Sequence, residues 1–315
     1  MHEEKERFSE NTPREGLRHA LKLRGVLLLA FTAGLAGLLW PSFMGLYELT
    51  RSSLFSHIPL IPLASAYLAF IAIKDGKRAP VQWSPGASLP FFLGGVIVCG
   101  LGMSLADGMI RQDHLALMTF GALLLWVGGV TLIWGWQVVR MLAFPLAFLI
   151  FTVPLPTPLQ NGLVTFLQKG STEAAHVMFW ASGVPYLRDG ITFALPGLAV
   201  EVAPQCSGIR SGLVLLIMSI LAGHFFFRTW PRKVMLVAAS LAVSIVKNGA
   251  RIVTISLLSV YVDPGFLSGP LHTAGGMPFF VLALVMMIPM VWILRRGEKK
   301  RFTAEPPGTA TGGLS

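Results

Sequence analysis

The sequence predicts an all-α polytopic membrane protein with about eight transmembrane helices and a small extracytoplasmic segment before the sixth span. Its 315 residues are 54% hydrophobic and 13% charged, whereas soluble domains carry about 25% charged residues. The mean hydropathy is +0.67, and several apolar runs exceed the roughly 18 residues that cross a bilayer. Because backbone groups in lipid must be satisfied within the segment, these runs are expected to be helices.

The apolar runs predict the organisation of the chain. The eight predicted spans cover about Gly25–Tyr47, His57–Ile73, Leu89–Ala106, Leu115–Val139, Met141–Val153, Ile209–Phe227, Val234–Tyr261 and Pro278–Leu294. The fourth and fifth are joined so tightly at Arg140 that they could form a helical hairpin. The predicted regions are a cytoplasmic polar segment (1–24), spans one to five (25–153), an extracytoplasmic segment (154–205), catalytic spans six to eight (206–294) and a basic, disordered cytoplasmic tail (295–315).

The basic residues indicate how these spans are oriented. With the N-terminus inside, 18 of the 25 lysines and arginines fall on the inner side and 4 on the outer side. Because this asymmetry sets membrane topology, both termini are predicted to be cytoplasmic. The predicted location of the protein is the cytoplasmic (inner) membrane. The net charge of +10 could suggest nucleic acid binding, but the short basic clusters between apolar runs argue against it.

The extracytoplasmic segment is the one sizeable region that is predicted not to span. About Gln160–Ala181 has the pattern of an amphipathic helix that lies on the membrane surface or re-enters the membrane. In Asp189–Val202, two β-prone runs flank Pro196-Gly197, which predicts a hairpin. Its second strand would deliver the chain to Cys206, at the start of span six.

Cys206, Arg251 and His272 are predicted to lie on one membrane face. Cys206 precedes span six, Arg251 lies toward the outer end of span seven, and His272 lies in the outer loop that follows. A cysteine at a helix N-terminus or beside a cation readily forms the nucleophilic thiolate. Histidine can act as general base and general acid, and arginine can hold an oxyanion. The three residue types therefore suit acyl transfer at a peptide bond through a thioester.

Each of these residues also has an ordinary structural interpretation. A lone membrane cysteine is usually a small apolar filler, which is how Cys99 in mid-span is interpreted. Arg251 could snorkel to the interface, and His272 could be a solvated loop histidine. The shared helix face of Lys247, Asn248 and Arg251 favours a functional role, because charge inside a membrane is costly and usually functional.

Further polar residues are expected to support the triad. Those assigned to substrate binding or support are Arg210, Asn248, Ser207 and Glu201. Glu201 could equally be a plain strand residue, or a counter-charge to Arg210 or Arg251. The sequence contains no P-loop, dinucleotide fingerprint, His-Glu-x-x-His motif, nucleophile elbow or zinc-type cysteine pair. No cofactor and no metal is predicted.

Three segments together resemble the exosortase/archaeosortase family. They are Cys206-Ser207-Gly208-Ile209-Arg210-Ser211, Asn248-Gly249-Ala250-Arg251-Ile252-Val253 and His272-Thr273-Ala274-Gly275-Gly276. The resemblance covers about Ala143–Leu294, and the first four spans match only in hydropathy. It implies a multi-pass cysteine transpeptidase of the bacterial envelope, in which Cys206 is the nucleophile, Arg251 the active-site arginine and His272 the third member. Archaeal relatives carry arginine at that third position, so the histidine implies the bacterial exosortase branch.

The resemblance also implies partners. These are exported proteins whose C-terminal sorting tails combine a Pro-containing signature, an apolar helix and a basic end, and an acceptor that is lipid, glycan or water. Two alternatives stay open. A non-enzymatic transporter or assembly subunit for exopolysaccharide export could use Lys247, Asn248 and Arg251 as a polar path. A membrane cysteine protease could use the same triad for hydrolysis alone.

Overall fold

The computed structural model describes the backbone of residues 2–51, 54–75, 79–204, 208–267, 269 and 276–303, and side chains between residues 19 and 297 of those ranges. The chain divides into two compact units, Met1–Leu159 and Gln160–Ser315. Helices dominate both units, which confirms the predicted all-α class.

The first unit is a set of helices of very different lengths. They are α1 (His2–Leu38), α2 (Trp40–Thr50), α3 (Leu60–Asp75), α4 (Pro85–Ser104), α5 (Arg111–Trp134), α6 (Trp136–Met141) and α7 (Ala143–Phe148). Short 3₁₀ turns follow α4 and α7, at Ala106–Gly108 and Leu149–Thr152. The chain then enters α8 (Thr157–Ser182), which lies in the second unit from Gln160 onward.

Two predicted spans of the first unit are interrupted. The first breaks at Leu39, and α2 begins with Pro41 in its first turn, where a proline has no helical N–H bond to lose. The fourth is interrupted at Gly135, whose φ of 94° is left-handed. The backbone of Gln82 lies against Gly135 and leaves no room for a side chain there. Glycine is the residue that tolerates both conditions.

Small residues bring α4 and α5 together. A Cβ built on Gly95 of α4 would stand 2.6 Å from Leu125 Cγ of α5. The buried Cys99 packs directly on Gly121, with Met118 beside it. Small residues allow membrane helices to approach closely, where packing rather than hydrophobic burial drives association. This packing agrees with the filler interpretation of Cys99.

An apolar chamber of about 1360 Å³ also lies in the first unit. Its lining extends from Leu21 of α1 to Thr152 after α7. The chamber lining includes none of the four described site residues, Glu201, Arg210, Asn248 and Arg251. All seven predicted site residues fall within the sequence range of the second unit.

The second unit combines helices with one small sheet. After α8 come β1 (Leu187–Asp189), β2 (Thr192–Leu195), β3 (Leu198–Glu201), α9 (Ile209–Phe226), α10 (Trp230–Tyr261) and α11 (Gly276–Thr303). The strands are antiparallel in the order β1-β2-β3. The predicted hairpin is confirmed as β2 and β3, which pair from Thr192↔Glu201 to Leu195↔Leu198. Helix α8 covers the predicted amphipathic segment, whereas β1 was not predicted.

An apolar cluster holds the sheet against α8 and α10. Phe193 of β2 is fully buried, and its ring centroid lies 5.1 Å from that of Phe179 on α8. Val202, just after β3, packs in the same cluster with Ile252 and Val253 of α10. The strand that leads toward Cys206 is therefore fixed by burial on two helices.

The number of spans differs from the prediction. Six described helical stretches are long and apolar enough to cross a membrane, namely His19–Leu38, Pro85–Ser104, Arg111–Trp134, Ile209–Phe226, Trp230–Tyr261 and Met277–Gly297. A further pair of segments, Ala143–Thr152 and Thr157–Ser182, would add a seventh if the two form one broken span or a re-entrant loop.

The predicted count of eight is therefore not confirmed. Helix α3, the second predicted span, has 16 residues, fewer than the roughly 18 that cross a bilayer. The fifth predicted span is shared among the end of α6, α7 and a 3₁₀ turn.

Helix α11 extends past the predicted end of the last span. It continues to Thr303, which differs from the disordered tail predicted from residue 295. The Arg296 guanidinium lies 3.3 Å from the centroid of the Trp292 ring, and that of Arg295 lies 5.1 Å from the Phe226 ring. The aliphatic part of an arginine side chain can cover apolar surface while its guanidinium reaches water. Basic residues can therefore continue a membrane helix beyond its apolar part. Residues 304–315 lie outside the described residues.

Candidate active site

The structure describes four of the seven predicted site residues, Glu201, Arg210, Asn248 and Arg251. The other three, Cys206, Ser207 and His272, lie outside the described residues. What the structure provides is the polar face of α10 and the chain on both sides of Cys206.

Polar side chains follow one face of α10. Ser244, Lys247, Asn248 and Arg251 have the i, i+3, i+4, i+7 spacing of a single helical stripe. Lys247 is 3% exposed, Asn248 is completely buried, and Arg251 is half-buried. Arg251 lies about 31 Å along the axis from Trp230, which is close to the thickness of the hydrocarbon core. The stripe thus reaches one membrane boundary if α10 starts at the other.

Asn248 connects α10 to two other parts of the unit. Its Nδ2 donates a hydrogen bond to Ser171 Oγ of α8 at 3.0 Å, and both residues are buried. The backbone of Gly208, the N-cap of α9, lies so close that a Cβ there would stand 2.9 Å from Asn248 Oδ1. Gly208 has a left-handed φ of 74°, so glycine is required by conformation and by space. Asn248 therefore contacts the turn that follows Cys206 in the chain, and its supporting role stays a prediction.

Lys247 reaches the same turn by another route. Its Nζ donates to Ser211 Oγ of α9 at 2.5 Å. Ser211 Oγ in turn donates to the Gly208 carbonyl at 3.1 Å, and the Gly212 amide donates to that carbonyl at 2.9 Å. A continuous hydrogen-bonded path therefore runs from the ammonium of Lys247 to the backbone at the start of α9.

Hydrogen bonds and burial also hold the chain before Cys206. Gln168 of α8 donates from Nε2 to the Val202 carbonyl at 2.6 Å. The Val202 amide donates to the Ile191 carbonyl at 3.0 Å, and its side chain is fully buried. Val202 and Gly208 are thus both held, and the short connection between them carries Cys206.

The two predicted charged supports are more peripheral. Glu201 at the end of β3 and Arg210 in the first turn of α9 are both exposed. Among the described ion pairs, Glu201 pairs with neither Arg210 nor Arg251. The interpretation of Glu201 as their counter-charge is therefore not supported by the described residues.

A different ion pair holds the outer strand of the sheet. The Arg188 guanidinium of β1 donates two hydrogen bonds to the Glu173 carboxylate of α8, at 3.0 and 2.5 Å. This hydrogen bonding raises the pKa of Arg188 above its ordinary value. Since both groups are largely on the surface, the pair contributes orientation more than stability.

Sequence reasoning missed three residues of this site, Gln168, Ser171 and Ser211. Each acts through a contact between elements, which no local pattern encodes. A weaker signal was available, because Gln168 and Ser171 share one face of the amphipathic helix α8 with the buried Thr172. Small polar residues on the inward face of a membrane-associated helix often bond across helices.

Comparison with known families decides what kind of protein carries this site. The family model for transmembrane exosortases matches residues 49–289. The chain belongs to the transmembrane exosortase family. That membership indicates processing of sorting signals in general, and the family is generally one of cysteine peptidases or transpeptidases. Comparison with curated proteins gives no significant match, and neither does comparison with solved structures.

The exosortase match covers all of the predicted site. It spans the sheet, α9, α10 and the first part of α11, including the three segments that carry the resemblance. Within the part of the chain that the structure describes, no group of three or more His, Cys, Asp or Glu residues is arranged to hold a metal ion.

Proposed function

We propose that this exosortase family member is a membrane-embedded cysteine transpeptidase. It cleaves the C-terminal sorting tails of exported proteins through a Cys206 thioester, at the outer boundary of the inner membrane. The observation that carries the proposal is that the chain is held on both sides of Cys206, by Gln168 at Val202 and by Ser211, which Lys247 bonds, at Gly208. A residue that served only as an apolar filler would need no such support.

The covalent chain limits how far Cys206 can lie from the stripe on α10. Two residues of fully extended chain span at most about 7 Å, so the link to Gly208 keeps Cys206 near Asn248. Arg251 is three residues further along α10, on the same face. This supports a role for Arg251 beside the thiol.

The proposed reaction uses three groups. His272 takes the proton of the Cys206 thiol, and the thiolate attacks the carbonyl carbon of the scissile peptide bond. Arg251 stabilises the resulting oxyanion. The C–N bond then breaks, the leaving amine takes the proton from His272, and the acyl group remains on Cys206 as a thioester. An acceptor nucleophile attacks the thioester, gives its proton to His272 and releases the thiolate.

The depth of the site suits a substrate with its own membrane anchor. The sorting tail would place its Pro-containing signature just outside its apolar helix, at the boundary that the α10 stripe reaches. Anchoring both partners in one membrane raises the effective concentration of the signature. The sheet and α8 would then border the site that the extended signature occupies.

A processing assay tests the proposal. The chain is co-expressed with an envelope protein that ends in a Pro-containing signature, an apolar helix and a basic tail, and tail removal is followed by mass. We expect wild-type protein and the control Cys99→Ala to remove the tail, and Cys206→Ala to leave it intact. The mass of the new C-terminus separates transfer to a lipid or glycan from hydrolysis.

Equal processing by Cys206→Ala and wild type, at matched expression, would exclude Cys206 as the nucleophile. A requirement for Arg251 without one for Cys206 would instead favour a transporter or an export-assembly subunit, in which the polar stripe of α10 is a path or a binding site.

A further inference from the structure

Lys247 is a lysine inside a membrane helix that the proposed reaction does not use. It is 3% exposed and lies in the stripe of α10, one turn before Arg251. Burying a charged side chain at membrane depth is costly, and such residues are retained where they act on a substrate, an ion or a reacting group. Its position therefore requires an explanation beyond helix packing.

The contact that Lys247 makes lies at the turn that follows Cys206 in the sequence. Its single described hydrogen bond is to Ser211 Oγ, and Ser211 bonds the carbonyl of Gly208. The cation thus lies at the first turn of α9, where unpaired backbone N–H groups already create a positive potential. Two residues before Gly208 in the chain is Cys206.

No described carboxylate neutralises the charge of the Lys247 ammonium. The described carboxylates between Gln160 and Gly297 are all exposed, and none forms an ion pair with Lys247; they are Glu173, Asp189, Glu201 and Asp263. The basic and titratable groups on the packed elements are Arg232, Lys233 and Arg251 on α10, Arg210 and His224 on α9, Lys169 and His176 on α8, and Arg295 and Arg296 on α11. Of these, Arg251 lies one turn from Lys247 and Arg210 lies in the first turn of α9. The start of α9 is therefore a region of positive potential that favours a nearby anion.

We propose that Lys247 is a positioning residue for Cys206. It fixes the turn after the cysteine through Ser211, and its charge favours the thiolate over the thiol. The proposal rests on the proposed function, because it assigns Lys247 to the same nucleophile. It adds a residue to the site that the triad does not contain.

A purely structural role is the competing interpretation. In that case the Lys247–Ser211 bond would only join α9 to α10, and the charge would be incidental. The two roles differ in a measurable way. Removal of the charge changes thiolate formation only in the electrostatic role, whereas removal of Ser211 Oγ breaks the bond and keeps the charge.

The pH dependence of thiol alkylation distinguishes the two. The chain has two cysteines, so in a Cys99→Ala background Cys206 is the single thiol. The rate of its reaction with iodoacetamide is measured against pH in native membranes, for full-length protein with Lys247, Lys247→Met, Lys247→Arg or Ser211→Ala. Lys169→Met removes a lysine from the exposed side of α8 and is the matched control.

We expect Lys247→Met to move the profile to higher pH and to slow alkylation at pH 7 about tenfold, because a nearby cation favours the thiolate. Lys247→Arg should keep the profile, and Lys169→Met should stay within about twofold. Ser211→Ala loosens the turn but keeps the charge, so it should shift the profile less than Lys247→Met does. An unchanged profile in Lys247→Met would overturn the proposal, and so would a shift in Ser211→Ala as large as that in Lys247→Met. If Lys247→Met does not accumulate, Lys247→Gln makes the same comparison.

The alkylation result is independent of sorting-tail processing. Processing that survives Cys206→Ala would remove the proposed function even if Lys247 controls the thiol. A Cys206-dependent reaction combined with an unshifted alkylation profile would remove the role of Lys247 and leave the proposed function intact.

Discussion

At the scale of single residues, the site depends on polar atoms that hold backbone. Gln168 bonds the Val202 carbonyl, and Lys247 reaches the Gly208 carbonyl through Ser211. Asn248 leaves no room for a side chain at Gly208. A buried hydrogen bond contributes about 1 kcal/mol, and more is lost when one partner is left unpaired. These residues therefore position the connection that carries Cys206 more than they stabilise the whole unit.

Gly208→Ala tests that role of the backbone. Alanine in a left-handed conformation costs about 1–2 kcal/mol, and its Cβ would stand 2.9 Å from Asn248 Oδ1. We expect sorting-tail processing to fall about tenfold or more, because small displacements of reacting groups are costly. Gly183→Ala is the matched control, since Gly183 has a φ of 72° but open space around it. Equal processing rates in the two variants would contradict the positioning role.

At the scale of elements, hydropathy and turn chemistry predicted much of the second unit. The sixth, seventh and eighth spans, the hairpin turn at Pro196-Gly197 and the amphipathic helix were found, because each has a local signature. Strand β1 was missed because three exposed residues carry no alternating pattern. The contacts of Gln168 and Ser171 could not be predicted, since they depend on how α8 packs against β3 and α10.

The breaks in the first unit were missed for a related reason. Hydropathy does not change at Leu39 or Gly135, so an apolar run looks continuous there. What ends the helix at Gly135 is the close approach of Gln82, more than 50 residues earlier in the chain. The count of eight spans was not confirmed for other reasons, because α3 is too short and the fifth predicted span is divided among short segments.

Gly249→Ala tests the packing of α10 on α8. A Cβ at Gly249 would stand 2.8 Å from Ala174 Cβ and 3.0 Å from the Ala175 amide nitrogen. Overpacking of this kind costs about 1–3 kcal/mol, so we expect a lower midpoint of thermal unfolding in detergent. Gly162→Ala on α8 is the control, because nothing lies within 4 Å of its Cβ and alanine favours the helix. A midpoint for Gly249→Ala at or above that of Gly162→Ala would show that the contact is not tight.

At the scale of the whole molecule, the proposed reaction requires that the site lie on the outer side of the membrane. Membership of the exosortase family indicates a sorting-signal processing protein, and the basic residues predict which side of the membrane each loop occupies. Arg251 lies toward the outer end of α10 only if both termini are cytoplasmic. The side of the membrane on which the site lies is therefore predicted only from the distribution of the basic residues.

Reporter fusions test this topology. We expect alkaline phosphatase joined after Gly183 to be active, because the segment that follows α8 is outside, and phosphatase joined after Ser315 to be inactive. Fluorescent protein fusions at the same two positions should give the opposite pattern. Active phosphatase after Ser315 would contradict the predicted orientation and would place the end of α10 that carries Arg251 on the cytoplasmic face.

The central claim is that Cys206 carries the substrate as a thioester, and intact mass in the pre-steady state of the reaction tests it most directly. Purified protein and an excess of synthetic sorting-tail substrate are mixed and quenched in acid, where thioesters persist. We predict that Cys99→Ala protein gains the mass of the upstream substrate fragment, that hydroxylamine removes it, and that Cys206→Ala protein gains none and cleaves nothing. Cleavage by Cys206→Ala at the rate of Cys99→Ala, or an adduct that resists hydroxylamine, would contradict the account.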